Sequence, residues 1–426
     1  MKNSTALKLG QIPKGYLIVG VDAHKKSHVA VMMDENALVL RKVRFANTKS
    51  GFEEMLEKVR GEASKAGSGG VIFAIEAGSH YWRNLAYFLD GKRVPFRLIS
   101  PYTLKRRREG EDLNRRKNDY RDGEMAAELL RTGKFTESKL LYGNYAEIRA
   151  AFATYRRLRK ESTMHANVLK GLLDGVFPEF TGAFRDPRGK TAMAVLSACA
   201  IPQVIAETPV SEFTGSVRAN FGGRGLQLKK IHRLHAMASS SIGITEGSEA
   251  VSDEIALLVE RIRLNSEQIE KVVKKIALLV DAVPESRHML SVPGLGYLSV
   301  AGIIAGLGPI SQYRNGRQLV KMAGTNPTQR ESAGKSSRHT PMSKQGRADL
   351  RWCLWPAVVS LLRCNPDFKS WARNKQDRQA HAHPLHRREV IGAGINRLLR
   401  LVFALVRKQV FYQLPEDQTA LALCRR

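Results

Sequence analysis

Cysteine is scarce in this 426-residue chain. Its four copies, Cys199, Cys353, Cys364 and Cys424, are scattered with no CxxC pair, which argues against both a disulfide framework and a zinc site. Long apolar runs are missing too, for none reaches the ~20 residues that a membrane span needs. The opening MKNSTALKLGQIPKG has no apolar core of the signal-peptide type, so a cytoplasmic location without membrane contact is expected. Acidic residues are the third shortage: 40 Asp and Glu stand against 69 Lys and Arg, a net charge of +29. A hydrophobic fraction of 43% nevertheless marks a folded chain. So large a basic excess on a folded chain points to a polyanion as partner. Nucleic acid fits better than a membrane surface, because the basic residues lie in several blocks and no single basic amphipathic helix carries them.

At this length two or three domains are expected. The N-terminal part alternates strand and helix patterns. YLIVGVDAH (16–24), SHVAVMMD (27–34) and ALVLRKVRFA (37–46) read as an antiparallel meander. A helix follows with Ser50 as its N-cap candidate, then the strand GVIFAIEAG (70–78), a helix in YWRNLAYFLDGK, and the strand PFRLIS (95–100). Residues 145–177 are helical in pattern, and 178–205 are mixed, with proline and glycine breaks. Residues 249–282 form a long amphipathic helix whose Ile255, Leu258, Ile262, Ile269, Val272, Val273, Ile276 and Leu279 suit a helical hairpin or coiled coil. VPGLGYLSVAGIIAGLGPI (292–310) resembles a helix-hairpin-helix, whose turn N–H groups face a phosphate, although a tight turn needs those glycines in any case. Residues 313–352 read as loop-rich and basic, followed by helix to about residue 412.

Against this basic background, a few carboxylates stand at strand ends and helix starts. Asp22 closes the first strand, Glu76 closes FAIEAG, and Asp119 and Asp122 open the helix of KNDYRDGEMAAELL (117–130). Singly, these are a turn residue, a strand end and an N-cap pair. Jointly, Asp on the first strand, Glu on a later one and Asp on a helix is the order of the ribonuclease H-like fold. Spacing of i, i+3 puts Asp119 and Asp122 on one helix face. Four gathered carboxylates repel unless cations neutralise them, and oxygen-only ligands suit Mg²⁺ or Mn²⁺. A pair of such ions ~3.5–4 Å apart can clamp a phosphodiester. The arginine-heavy approach LKRRREGEDLNRR then supplies a backbone-holding surface, with Arg106, Arg107, Arg108, Arg115, Arg116 and Lys117. Capping by the two aspartates stays open beside this reading.

GVDAHKKSHVAV, FAIEAG and KNDYRDGEMAAELL resemble the DEDD motifs of a family of bacterial insertion-sequence transposases. These are bridge-RNA-guided serine recombinases that also include Piv-like DNA invertases. In MAGTNPTQRESAGKSSRHTPMSKQGRADLRWCLWPAV (322–358), the elements AGTNP, SAGK, SKQG and LR recur in the family's order. The resemblance covers nearly the whole chain. It implies an α/β RuvC-like DEDD domain over 1–140, a helical or coiled-coil region with a mixed insertion over 141–285, and a mostly α C-terminal transposase domain over 286–426.

The resemblance also implies divalent metal on Asp22, Glu76, Asp119 and Asp122, and Ser332 as a nucleophile that forms a phosphoserine–DNA link. The family's Ser-Gly pattern is interrupted here by Ala333, which leaves Ser336 and Ser337 as alternatives. Arg330, Lys335, Arg338, Lys344 and Arg347 would contact the nucleic-acid backbone, while His24 and His339 take supporting polar roles. Implied partners are donor and target DNA, a non-coding bridge RNA and further copies of the chain, as dimer or tetramer, at the bacterial nucleoid. In the family's oligomers the serine and the carboxylates meet from different subunits. Two rivals remain: a RuvC-like nuclease or junction resolvase using metal-bound water, and a non-catalytic nucleic-acid-binding scaffold.

Overall fold

The computed structural model describes residues 4–111, 118–136, 140–328, 331–332, 335–336, 340–377 and 383–414. The chain divides into two compact units, Met1–Leu140 and Leu141–Arg426.

The first unit holds strands β1 (Tyr16–Ala23), β2 (Ser27–Met33), β3 (Val39–Ala46), β4 (Gly70–Glu76) and β5 (Phe96–Ile99), in the sheet order β3-β2-β1-β4-β5. The β1–β2 and β2–β3 pairs are antiparallel, whereas β4 joins β1, and β5 joins β4, in parallel. A meander followed by two parallel crossovers is the ribonuclease H-like arrangement expected from the order of motifs. Its helices are α1 (Ser4–Leu9), α2 (Lys49–Lys65), α3 (Trp82–Gly91), α4 (Pro101–Glu111) and α5 (Asp119–Arg131). The α2 cap is Thr48, whose hydroxyl accepts the Gly51 N–H at 3.1 Å, and not the expected Ser50, which lies inside the first turn.

Strand alternation sorts the central strands onto two covered faces, and so their sequences read as unbroken apolar runs. Leu17, Val19, Val21, Phe73 and Ile75 are buried with Phe52 and Met55 of α2 and Leu85 and Leu89 of α3. Ile18, Ile72 and Ala74 are buried on the other face with Met125, Ala126, Leu129 and Leu130 of α5. Continuing that parity, Asp22 and Glu76 belong to the α5 face. Helix α5 lies almost flush on β1, because two glycines meet there. A Cβ on Gly20 would stand 1.8 Å from the Gly123 carbonyl oxygen, and one on Gly123 would stand 3.1 Å from Val31 Cγ2.

The second unit is helical. Two 34-residue helices, α6 (Gly143–Val176) and α12 (Ser248–Asp281), run antiparallel, each about 51 Å long at 1.5 Å per residue. One end of the pair, with Leu169, Leu173, Ile255, Leu258 and Ile262, shares a core with α7 (Phe180–Ala183), α8 (Lys190–Ala198), α9 (Pro202–Glu207), α10 (Val210–Ala219) and α11 (Leu228–Ala238). The mixed segment of the sequence is thus a helical lobe with its own apolar centre. At the other end, Ile148, Phe152, Ile276 and Val280 pack among α14 (Tyr297–Leu307), α16 (Ala348–Cys364) and α18 (Arg387–Lys408), with α13 (Ser286–Leu290), α15 (Gly316–Ala323) and α17 (Pro366–Gln376) alongside. Helix α15 and the first turn of α16 fall within the stretch expected to be loop. In the PGLG turn, Gly294 has φ +98°, and a Cβ there would meet Leu361 Cα at 3.1 Å. The left-handed φ and the packing on α16 both require that glycine.

The Gly20–Gly123 contact sets a test. Gly20→Ala is expected to lower the urea midpoint of the N-terminal unit by the equivalent of about 3 kcal/mol or more, since the clash is with backbone. Gly61→Ala, exposed in mid-helix with open space at its Cβ, is expected to raise it by ~0.5–1 kcal/mol.

Candidate metal centre and serine hairpin

Three local devices assemble the acidic site. The first is the sheet register: Val21 pairs with Ile75 across parallel strands, so Asp22 and Glu76 follow at the same level. The second is the start of α5. Asn118 is the N-cap, its side chain accepting the Tyr120 N–H at 3.0 Å. The aspartates are therefore released from capping while still occupying the first turn, where the helix dipole favours carboxylates. The third is the turn after β1. The His24 N–H donates to Nδ1 of buried His28 at 3.0 Å. The His28 ring stacks on Phe52 at 5.6 Å and stands edge-on to Phe45 at 5.2 Å. Burial pushes its pKa down to about 4, so the ring is neutral at neutral pH, and the His24 N–H selects the tautomer whose Nδ1 accepts.

The outcome is a convergence of side chains. His24 Nε2 lies 3.1 Å from Asp22 Oδ2 and 3.5 Å from Asp119 Oδ1. One ligand atom from each of Asp22, His24 and Asp119 falls within 4.8 Å of the others, a cluster of a size to hold a metal ion. Asp122, 2% exposed, sits beside it, its Oδ1 accepting from Arg108 Nη2 at 2.6 Å and Nε at 3.0 Å. Arg44 of β3 reaches Asp119 Oδ2 at 3.4 Å. Glu76 is half-buried on the neighbouring strand, outside the 4.8 Å cluster, and its Oε1 stands 3.2 Å from where a Gly78 Cβ would be.

Burial lifts the Asp22 carboxyl above the usual aspartate range. His24 opposes that shift, and the charges of Asp122 and Asp119 add to it. Carboxylates disfavoured by burial and by one another are relieved by a cation where their oxygens converge, so these residues fit a divalent ion. The sequence reading missed His24 as a member of this group. The available signal was its position two residues after Asp22 at a strand end, which puts both side chains on one face.

The arginine approach divides in the fold. Arg106 is exposed and lies over the Tyr102 ring at 5.4 Å, and Arg107 is half-buried. Arg108 is turned inward, because a nearly fully buried Asp122 needs a counter-charge. Arg115, Arg116, Lys117, Arg330, Arg338, Ser337 and His339 lie outside the described residues.

Ser332 belongs to a small antiparallel hairpin in the second unit, β6 (Glu331–Ser332) with β7 (Lys335–Ser336), in which Ser332 pairs with Lys335. The motif segments around it build the hairpin's base. Gly324 ends α15 in the left-handed region, at φ +65°, and Gly346 crosses it so closely that a Cβ there would lie 2.3 Å from Gly324 N. Asn326 Oδ1 accepts from Ser343 Oγ at 2.8 Å, and Thr325 bonds to Asn396 of α18 in both directions, at 2.6 and 3.1 Å. Arg351 donates to the carbonyls of Ala323 and Gly346. Lys344, at φ +54°, donates its N–H to Gly324 O at 2.9 Å. Arg347 donates to the Gly306 carbonyl at the C-terminal end of α14, a place that favours a cation.

A ribonuclease H-like sheet with carboxylates gathered on its α5 face defines an enzyme of the RuvC-like class. Sequence comparison narrows the class. Residues 19–178 match the DEDD transposase model of the IS110 type, and residues 286–372 match the model of the IS116/IS110/IS902 transposases. The chain belongs to this family of transposases, enzymes of DNA recombination. The first match spans Asp22, Glu76, Asp119 and Asp122, and the second spans the Ser332 hairpin. The lobe α7–α11 lies between them.

Among relatives, the "Mini-circle putative transposase for IS117" of Streptomyces coelicolor is 22% identical over 369 residues, 84% of this chain and 87% of that protein. The transposase for insertion sequence element IS1111A of Coxiella burnetii is 27% identical over 34% of this chain and 36% of its own length. The pilin gene-inverting protein of Moraxella bovis is 23% identical over 35% of this chain and 46% of its own length.

Because ionised Asp22 is disfavoured in the folded chain, stability at this position is fullest at low pH and is lost as pH rises through its raised pKa. Asp22→Asn is therefore expected to stabilise the metal-free protein at neutral pH by about 1 kcal/mol in urea unfolding. That gain should shrink as pH falls into the aspartate range, and strand cleavage should be lost throughout.

Proposed function

We propose that the chain cuts and rejoins DNA by transesterification, with Ser332 as nucleophile and Asp22, Glu76, Asp119 and Asp122 holding divalent metal, Mg²⁺ or Mn²⁺. The observation that carries this reading is the convergence of buried Asp22 and half-buried Asp119 at one point, where their charge calls for a cation. A bound divalent ion would supply positive charge to the non-bridging oxygens of the scissile phosphate.

On the protein's side, Ser332 Oγ gives up its proton and bonds to phosphorus, while the bond from phosphorus to one sugar oxygen breaks and that oxygen takes up a proton. The bond energy is retained in the phosphoserine, so attack by a sugar hydroxyl reseals the strand without ATP. The cross-braced base formed by Gly324, Gly346, Asn326, Ser343 and Arg351 supports a fixed placement of the hairpin that carries Ser332. Arg330, Lys335, Arg338 and Lys344 surround it in sequence and offset the phosphate charge.

Donor and target DNA are the substrates in this reading, and a structured non-coding RNA guides their choice by base pairing. The basic excess supports recognition of such an RNA by shape and backbone. The active form is a homo-oligomer, dimer or tetramer, in which serine and carboxylates come from different subunits. Leu257, Leu264 and Leu278 of α12, exposed by 55%, 56% and 72% at heptad spacing, support that helix as a contact between copies. The place of action is the bacterial cytoplasm, at the nucleoid. Among the described residues no helix is long and apolar enough to cross a membrane.

Incubated with donor DNA, the element's RNA and Mg²⁺, the wild-type chain should form a protein–DNA adduct that survives denaturing electrophoresis. Ser332→Ala should form none and should lose about 10³-fold or more in strand cleavage, while Ser336→Ala and Ser337→Ala keep both. Cleavage that persists in Ser332→Ala would sink the serine mechanism and leave a water-using nuclease.

A further inference from the structure

We propose that His24 is itself a metal ligand, and that its imidazole makes this centre prefer Mn²⁺ over Mg²⁺. The inference rests on the metal-centre reading and names which ion that centre favours. The sequence alone predicts an all-oxygen set, but the atoms that converge are two carboxylate oxygens and one ring nitrogen.

Their spacing suits a shared ion. Neighbouring ligands in an octahedron with bonds near 2.1 Å stand roughly 3 Å apart. His24 Nε2 stands 3.1 Å from Asp22, a hydrogen bond that the ion would replace as it displaces the proton, and 3.5 Å from Asp119. The other two carboxylates are placed differently. Asp122 is engaged by Arg108, and Glu76 lies outside the cluster.

The backbone of His24 is also held from behind. Its N–H is bonded to His28, and the His28 ring is wedged between Phe45 and Phe52. A supporting residue of this kind presets the direction of a ligand before the ion arrives. Imidazole nitrogen is a poor partner for Mg²⁺, which favours oxygen and water, and a better one for Mn²⁺.

The test uses the full-length chain stripped of metal, titrated with Mn²⁺ and followed by electron paramagnetic resonance, with Mg²⁺ scored by displacement. Wild type should bind Mn²⁺ at least about tenfold more tightly than Mg²⁺, and the pulsed spectrum of bound Mn²⁺ should carry a nitrogen coupling. His24→Ala should lose both the coupling and the preference while still binding either ion. Asp22→Asn, which removes an oxygen ligand, should weaken both ions. Circular dichroism of each variant in chelator checks that the fold is kept, and His24→Asn provides a second variant of similar shape. A nitrogen coupling missing from Mn²⁺-loaded wild type, or one that persists in His24→Ala and His24→Asn, overturns the assignment and leaves the carboxylate centre standing. Wild type that binds no Mn²⁺ overturns the assignment and the metal centre together.

Discussion

The acidic site depends on one contact without side chains. Gly20 on the central strand and Gly123 on α5 lie so close that a methyl group on Gly20 would fall inside the van der Waals radius of the Gly123 carbonyl oxygen. That approach lays α5 flat on the sheet and brings Asp119 and Asp122, in its first turn, down to the level of Asp22. A helix lifted by the width of a methyl group would still bury Met125 and Leu129. It would not keep the carboxylates of strand and helix within reach of one ion.

Once brought together, these groups are in electrostatic debt to something outside themselves. Asp22 and Asp122 are nearly inaccessible to water, and the charge of Asp122 adds to the cost of ionising Asp22. The protein meets part of that demand internally, through Arg108 on Asp122, Arg44 on Asp119 and His24 between Asp22 and Asp119. The remainder suits a divalent ion and an incoming phosphate. An arginine that the composition assigns to a DNA-binding run can thus belong to the interior of the centre.

The serine hairpin shows a similar division between the reacting residue and its support. Glycines 324 and 346 let two chain segments cross almost in contact, and Asn326, Ser343, Thr325 and Asn396 tie that crossing to α18. The motif words AGTNP, SKQG and LR are therefore mainly a description of the base on which Ser332 stands. Such words are easily recognised in a sequence because close backbone approach and buried hydrogen bonds tolerate few residue types.

Much was legible from residue order alone. Asp22 at the end of an apolar run, Glu76 at the end of a second and Asp119 and Asp122 opening a helix are enough to imply a ribonuclease H-like sheet with its strand order. Period-two and period-3.6 patterns depend only on neighbours in the chain. The same holds for the two long helices, whose apolar residues follow the helical period. By contrast, the lobe α7–α11 was opaque, because its short helices gain stability from a shared core and carry weak patterns of their own.

Tertiary structure alone decided which side chains meet. It recruited His24, turned Arg108 inward, gave the α5 cap to Asn118 and set Glu76 apart from the closest cluster. Those outcomes turn on ångström-scale distances between segments far apart in the chain, set by the Gly20–Gly123 contact and the His28 clamp. The sequence by itself determined which residues could take part, since residue type and period are local properties. Their partners were decided by packing, which is not local.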